Sequence, residues 1–415
     1  MNFSRGPDPV DLLGLPWATP LDEWPAEFLV SLPRGISRHV VRFIRLGGTV
    51  YAVKETSPEL ATLEHGLLRR LGREGLPVVQ AVGIVADRST PSGEPLDAAL
   101  VTKHLHFSLP YRALFARRMD PDLEPKLLDA LAELLVKLHL KGFAWGDCSL
   151  SNTLFRRDAG ALSAYLVDAE TGMFRDELSD GQRAYDIEVA RINLGGELLD
   201  LQAAGLLGEH VDPIDTAESV CVRYDRLWSE LTLPQTFEAG DWDLVERRIR
   251  RLNELGYDVA QLEVSEAEEN PEVLIQTQVV EEGHHRRRLQ ELTGLDVQEN
   301  QARRILNDLD GFRAQAVMPG TDVDEATVAR HWLTDVFEPV IERIPPDLAS
   351  KLEAAEVFHE VLEHRWHLTH EAAREVTLEE AADSYVDTVL RHRPDEASML
   401  DSSLMGVGQL EPDAP

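Results

Sequence analysis

HLKGFAWGDCSLSNTLFRRDAGALSAYLVDAETG, residues 139–172, is the stretch whose reading decides the fold. A helix leads into it. Leu127, Leu128, Leu131, Leu134, Leu135 and Leu138 fall on one apolar stripe at helical spacing, and Gly142 can terminate it. The helix delivers a short polar loop, WGDCSLSN, with Asp147 and Asn152 towards its two ends. NTLFRR and LSAYLVD then read as two strands around a turn at Asp158-Ala159-Gly160, the second strand ending at Asp168.

This is the inventory that phosphoryl transfer from a magnesium nucleotide needs. A carboxylate must receive or orient the acceptor proton, which suits Asp147. Hard divalent cations take oxygen ligands, which suits Asn152 and Asp168. Ligands on neighbouring strand ends meet without a dedicated cage, and the remaining catalysis is positioning and electrostatics.

Upstream, residues 1–26 read as an irregular arm rich in Pro and Asp. EFLVSL (27–32), VVRFI (40–44) and TVYAVKE (49–55) read as strands, with a tight hairpin at Gly47-Gly48. Ser57 can cap a helix that has Pro58 in its first turn and apolar Leu60, Leu63, Leu67, Leu68 and Leu71 at helical spacing. Two more strands are expected at 78–87 and 98–105, separated by the polar turn RSTPSGEPLD. Downstream, 182–235 reads as helices. From 241 the organisation changes. A basic-faced helix, DWDLVERRIRRLNELG, precedes two strand candidates, YDVAQLEVS and PEVLIQTQVV, around the acidic linker EAEENP. The helix GHHRRRLQELTG follows. Asp296 and Glu299 resemble a capping box before NQARRILNDL, 322–394 reads as almost wholly helical, and the polar tail 395–415 as disordered.

The net charge of −33 excludes general nucleic-acid binding and argues against an anionic membrane surface as partner. No run approaches twenty apolar residues, so no transmembrane segment is expected. The N-terminal residues lack a secretory pattern. The two cysteines, Cys148 and Cys221, form neither a metal nor a disulfide spacing, and a cytoplasmic location is expected.

The D-x-x-x-x-N spacing from Asp147 to Asn152, with Val167-Asp168-Ala169 beyond it, resembles the protein-kinase-like superfamily over roughly residues 27–235. Gly146-Asp147 is more similar to small-molecule and lipopolysaccharide kinases than to protein kinases with H-R-D. GDCSLSN and LVDAETG resemble an uncharacterised bacterial family grouped with lipopolysaccharide (Kdo) kinases. The resemblance implies an α+β, bilobal kinase-like fold: an antiparallel-sheet N-lobe (27–105) and a helical C-lobe (106–240), followed by a mainly α-helical domain (241–394). It implies ATP and Mg2+ as cofactors. Lys54 in YAVKE stands where the family's phosphate-binding lysine does, with Glu64 as its helix partner and Glu59 as the rival. Gly35, Ser37 and Arg38, with Arg34, would cover the phosphates, although the glycine pattern is sparse. The hinge at Lys103, His104 and Leu105, extending to His106, would read adenine. Asp186 resembles the aspartate that braces the catalytic loop. Glu170 replaces the family glycine, either as an extra metal ligand or as a turn residue.

No A-P-E segment follows Asp168, and the interval to Asp186 is short. That favours a small-molecule, glycan or lipid-linked acceptor over a protein. The alternatives are a pseudokinase scaffold and an AMP transferase in the same cleft. Cys148 reads as a packing residue, and His364, His367 and His370 are spaced poorly for a metal. GHHRRRL reads as an anchoring face, and 241–394 as a possible surface for a protein partner.

Overall fold

The computed structural model describes residues 11–30, 39–47, 49–109, 111–115, 123–233, 235–238, 243–244, 246–247, 258–265, 272–280, 283–316, 324–372 and 374–393. Several expected features lie outside them: Gly35, Ser37, Arg38 and Arg34, Gly48, most of the helix expected at 241–256, and the tail. The chain divides into two compact units. One takes in Met1–Arg156 and Ala164–Cys221; the other is Arg157–Ser163 with Val222–Asp395.

The first unit is an α+β fold, a sheet followed by a helical lobe. Strands β1 (Leu29–Val30), β2 (Val40–Leu46), β3 (Thr49–Thr56), β4 (Ala81–Val85) and β7 (Ala98–Lys103) form an antiparallel sheet in the order β1-β2-β3-β7-β4. The hairpin between β2 and β3 closes at Leu46↔Thr49, with Gly47 at φ 53°. Side chains alternate across a strand, so the sheet has two distinct faces. Val53 joins Ile44, Val82, Val85, Ala99 and Val101 on one of them. Leu100 and Ala98 pack with Ala61 of helix α1 (Pro58–Arg73) in a separate cluster. Ser57 caps α1 by accepting from Leu60 N–H at 3.2 Å, as its side chain and position predict.

The arm is more than an irregular lead-in. Short 3-10 turns at Asp11–Gly14, Leu21–Glu23 and Ala26–Phe28 bring Leu12, Leu15, Trp17, Leu21 and Trp24 onto the Val53 face of the sheet. Each large side chain buried there contributes roughly 2 kcal/mol or more. Arg88 fastens it, donating to Trp17 O (3.0 Å), Thr19 O (2.7 Å) and Asp97 O (2.8 Å) and pairing with Glu55 at 2.6 Å. Arg88 begins β5 (Arg88–Ser89), which pairs with β6 (Pro95–Leu96) inside the stretch expected to be a turn.

The helical lobe follows. Beyond the short α2 (Tyr111–Leu114), helix α3 (Leu123–Leu140) buries its leucine stripe, and Gly142 ends it at φ 72°. A Cβ on Gly142 would lie 2.2 Å from Arg175 O, so the residue must be glycine for space as well as for conformation. β8 (Phe143–Ala144) pairs with β11 (Met173–Phe174), a two-residue ladder too short to read from sequence. β9 (Thr153–Asp158) and β10 (Ala161–Leu166) form the expected hairpin, turning through Ala159 (φ 50°) and Gly160 (φ 83°). Leu166 N–H donates to Pro77 O, and Val79 N–H to Leu166 O, both at 3.0 Å. Those bonds hold the end of β10, and so Asp168, under the sheet. Helices α4 (Asp180–Ala203) and α5 (Pro213–Thr232) complete the region read as helical.

In the second unit β12 (Gln235–Glu238), β14 (Glu272–Val280) and β13 (Asp258–Ser265) form an antiparallel sheet in that order. β12 falls at the very end of the segment read as helical. Helices His284–Thr293, Glu299–Ala316, Glu325–Trp332, Ala354–Ala372 and Leu378–Thr388 surround a core in which the Trp332, Phe337 and Phe358 rings lie 5.1–5.7 Å apart. The capping box expected at Asp296 and Glu299 does not form. Glu299 accepts from the N–H groups of His285 and Arg286, satisfying the start of the preceding helix, and Asp296 pairs with Arg286. The start of Glu299–Ala316 is served instead by buried Asp158, which accepts from Gln301 N–H at 2.8 Å and Asn300 Nδ2 at 3.0 Å. Burial pushes the Asp158 carboxyl up to about 6, against the pull of these donors.

Candidate active site

Lys54 sits in register between Val41 and Leu100, its side chain on the α1 face of the sheet. Its ammonium is the focus of three carboxylates: Glu64 at 3.0 Å, Asp168 at 2.6 Å and Glu170 at 2.8 Å. Glu64, rather than Glu59, is therefore the helix partner. Burial alone would lower the lysine pKa, but the charges of Glu64 and Asp168 and the hydrogen bonds of Asp168 and Glu170 outweigh it and raise it. Glu64 is buried, and desolvation, helped by nearby Asp168 and opposed by Lys54, pushes it up to about 7. Glu170 goes the other way. Burial would raise it, but the hydrogen bond to Lys54, the ammonium charge and His39 at 3.1 Å bring it below the usual glutamate range. Among the described residues, the carboxylates grouped closely enough to hold a metal are these same Glu64, Asp168 and Glu170.

The catalytic-loop candidates come together on the other lobe. Asn152 donates through Nδ2 to the Asp147 carbonyl (3.1 Å) and to its Oδ2 (3.2 Å). Asn193 of α4 donates to Asp147 Oδ1 at 3.0 Å and to Cys148 O at 3.2 Å. Two amides thus fix the Asp147 carboxylate. Glu197, one turn further along α4, accepts from Leu150 N–H (2.7 Å) and Ser151 N–H (3.2 Å) and holds the middle of the loop.

Buried Asp186 anchors the start of the loop. It accepts from Gly146 N–H at 2.6 Å, from Trp145 N–H at 2.8 Å, and lies 2.9 Å from His139 Nε2. Gly146 adopts φ 76°, and a Cβ there would come 3.2 Å from Thr171 O, which accounts for glycine rather than arginine before Asp147. Trp145 links the loop to the Asp168 segment, its indole N–H donating to Asp168 O at 2.7 Å.

Asn193, Glu197 and Trp145 were not singled out from the sequence. The first two carry a readable signal, because Asp186, Asn193 and Glu197 stand at i, i+7 and i+11 on one helix face. Trp145 carries none beyond its place in the loop. Cys148 is fully buried, and desolvation raises its thiol well above the ordinary value, consistent with a packing role. At the hinge, Lys103 N–H donates to Gln80 O (2.8 Å) and His104 N–H to Val50 O (2.9 Å). Those two donors are committed within the lobe.

Asp147, Asn152, Asp168 and Glu170 line one open cleft of about 520 Å³ with His39, Ser149, Ser151, Ile192, Asn193, Gly196, Glu197 and Asp200. Its oxygen-rich wall suits a hard divalent cation. Asn152 spends its amide N–H groups on Asp147, leaving its carbonyl oxygen, and Asp168 presents a carboxylate.

Residues 51–192 match the lipopolysaccharide kinase (Kdo/WaaP) family model, and residues 226–390 match a domain of unknown function (DUF4032). A solved structure, "WaaP in complex with acyl carrier protein", is 19 % identical; the match covers 61 % of this chain and 99 % of that chain, with a TM-score of 0.37. Comparison with curated proteins gave no match. The family match supports the resemblance to kinase-like proteins read from Asp147, Asn152 and Asp168, and relates residues 51–192 to kinase-type phosphotransferases. No helix among the described residues is long and apolar enough to cross a membrane.

Proposed function

We propose that the chain is an ATP- and Mg2+-dependent phosphotransferase acting in the cytoplasm on a small-molecule, glycan or lipid-linked hydroxyl. One observation carries the reading: the Lys54 ammonium is bonded to Glu64 and Asp168, and Asp168 lines the cleft that also holds Asp147 and Asn152. In this reading Lys54 binds phosphate oxygens and Glu64 holds it in place. Asp147, its rotamer set by Asn152 and Asn193, takes the proton of the acceptor hydroxyl. Asn152 and Asp168 would hold Mg2+, which when bound neutralises the phosphate charge. Leu105 and His106 are the hinge residues that would donate to adenine, since the N–H groups of Lys103 and His104 are already used. The boundaries 27–105, 106–240 and 241–394 go with this reading as N-lobe, C-lobe and accessory domain, the last a candidate surface for a protein partner.

The third carboxylate on Lys54, that of Glu170, favours one competing reading, a nucleotide-binding scaffold without turnover. Labelled ATP separates the two. The full chain with Mg2+ should release ADP and inorganic phosphate, water taking the place of the acceptor hydroxyl, and Asp147→Asn should lower that rate by about 10²–10⁴-fold, as loss of a general base does. Binding of ATP with equal, negligible turnover in both proteins would favour the scaffold. An added mass corresponding to AMP would redirect the chemistry to the α-phosphate.

A further inference from the structure

Lys54 has no hydrogen-bond donor to spare. An ammonium carries three N–H groups, and three carboxylates take them: Glu64 at 3.0 Å, Asp168 at 2.6 Å and Glu170 at 2.8 Å. A phosphate oxygen that is to reach this ammonium must take over one of those bonds. Glu64 is 2 % exposed and is absent from the described lining of the cleft beside Asp147, so it holds Lys54 from the α1 side. Asp168 and Glu170 both line that cleft. Asp168 is the metal candidate, and its Oδ1 accepts from the Glu170 N–H at 3.1 Å. Glu170 is then the carboxylate that stands between the ammonium and an incoming phosphate.

Its carboxylate also bridges two parts of the sequence expected to meet phosphate. The same oxygen, Oε2, lies 2.8 Å from Lys54 Nζ and 3.1 Å from His39 Nε2. Lys54 is the residue expected to bind phosphate, and His39 follows directly on the segment with Arg34, Gly35, Ser37 and Arg38 expected to cover it. Carboxylate and phosphate oxygens accept the same charge-assisted hydrogen bonds. Both cannot use this pair of nitrogens at once. A glycine at position 170 would bring no side chain to the contest; this chain brings an anion.

Resting on the phosphotransferase reading, we propose that Glu170 is a built-in competitor for nucleotide phosphate: its carboxylate holds Lys54 and His39, and a phosphate group binds by displacing it. The competitor is tethered to the chain, so it acts at an effective concentration on the order of millimolar or above. Breaking its bond to the ammonium costs about a factor of ten or more in affinity. The cleft therefore loads only when nucleotide is abundant enough to outcompete an attached anion, and occupancy follows the supply. The main-chain bond from Glu170 N–H to Asp168 does not depend on the side chain, so the Asp168 carboxylate keeps that support when the Glu170 carboxylate moves away.

Calorimetry on the full chain tests this with two probes, a non-hydrolysable ATP analogue and inorganic tripolyphosphate, each titrated with a chelator and again with Mg2+. Glu170→Gln, which keeps the shape and removes the charge, should bind both probes at least about fivefold more tightly than wild type, and Glu170→Ala at least about tenfold. A carboxylate with only a structural role would give no such gain. Glu188→Gln removes the same charge from an exposed position on α4, and solvent screening should keep its affinities within about twofold of wild type. Unchanged affinity in both Glu170 variants overturns the proposal. So does weaker binding, with or without Mg2+, because it would make Glu170 a ligand of the loaded site rather than its competitor. A gain as large in Glu188→Gln overturns it as a general charge effect, and so does failure of every protein to bind either probe at millimolar concentration. Tighter tripolyphosphate binding in the Glu170 variants, with no binding of the ATP analogue to any protein, would count against the phosphotransferase reading and leave the competitor standing.

Discussion

Replacing Asp186 should uncouple the catalytic loop from the helix that braces it. The carboxylate is 1 % exposed and accepts from Gly146 N–H, Trp145 N–H and His139. In Asp186→Ala all three groups lose their acceptor in a site water does not reach. A buried donor left unmade costs about 1–3 kcal/mol, so the loss is about 4–6 kcal/mol with partial relaxation. Asp186→Asn is milder. Its amide oxygen can stay on Trp145 N–H and His139, and its NH2 then opposes only Gly146 N–H, a cost of about 1–3 kcal/mol. For a unit of this size each kcal/mol lowers the melting temperature by roughly 2–4 °C. Thermal unfolding, following the transition that Mg-ATP shifts, should therefore fall by about 10–20 °C for alanine and about 2–10 °C for asparagine. Turnover should fall further than Mg-ATP affinity in the asparagine variant, because Gly146 directly precedes Asp147. An alanine variant melting within 2 °C of wild type would refute the reasoning.

Arg88→Met should cost about 3–5 kcal/mol, since it leaves Glu55 and three carbonyls without their buried partner; limited proteolysis should then cut the arm first, and an arm as resistant as wild type would count against it. Gly142→Ala should lower stability well beyond Gly205→Ala. Both glycines have positive φ, worth about 1–2 kcal/mol, but only the first would drive a Cβ to 2.2 Å from a carbonyl oxygen while the second faces open space; equal melting shifts would contradict the steric argument. The Glu64 carboxyl is raised to about 7 in the fold, so the native state holds that proton more tightly than the unfolded chain. Its contribution to stability is present at low pH and is lost as pH rises towards 7, by on the order of 2–3 kcal/mol; Glu64→Gln should remove that slope from melting curves taken between pH 5 and 8, and parallel curves for the two proteins would sink the assignment.

The first lobe was legible because its candidate site is written locally. Asp147, Asn152 and Asp168 lie in one loop and hairpin, and Lys54 in the pattern YAVKE, so short spacings carry the site. Glu64 could be chosen over Glu59 from helix position alone. What escaped is built from long-range pairing. The β8–β11 ladder involves two residues per strand and is fixed by tertiary context. The arm looked irregular because its order comes from Trp17, Leu21 and Trp24 packing on a distant sheet face, not from periodicity. Asn193 and Glu197 were hidden because polar residues on an amphipathic helix read as solvated until their partners are known. Likewise Asp296 and Glu299 have capping chemistry, but tertiary partners claim both.

Thermal unfolding of wild type and Asp168→Asn, with and without Mg-ATP, tests the central claim most directly. Ligand at about 100 times its dissociation constant adds roughly 2.7 kcal/mol to the native state, or about 5–10 °C for a unit of this size. Wild type should show that rise only when Mg2+ and ATP are both present, and Asp168→Asn should lose most of it. No rise in wild type at millimolar Mg-ATP, or the same rise in both proteins, would contradict a nucleotide site built on Asp168.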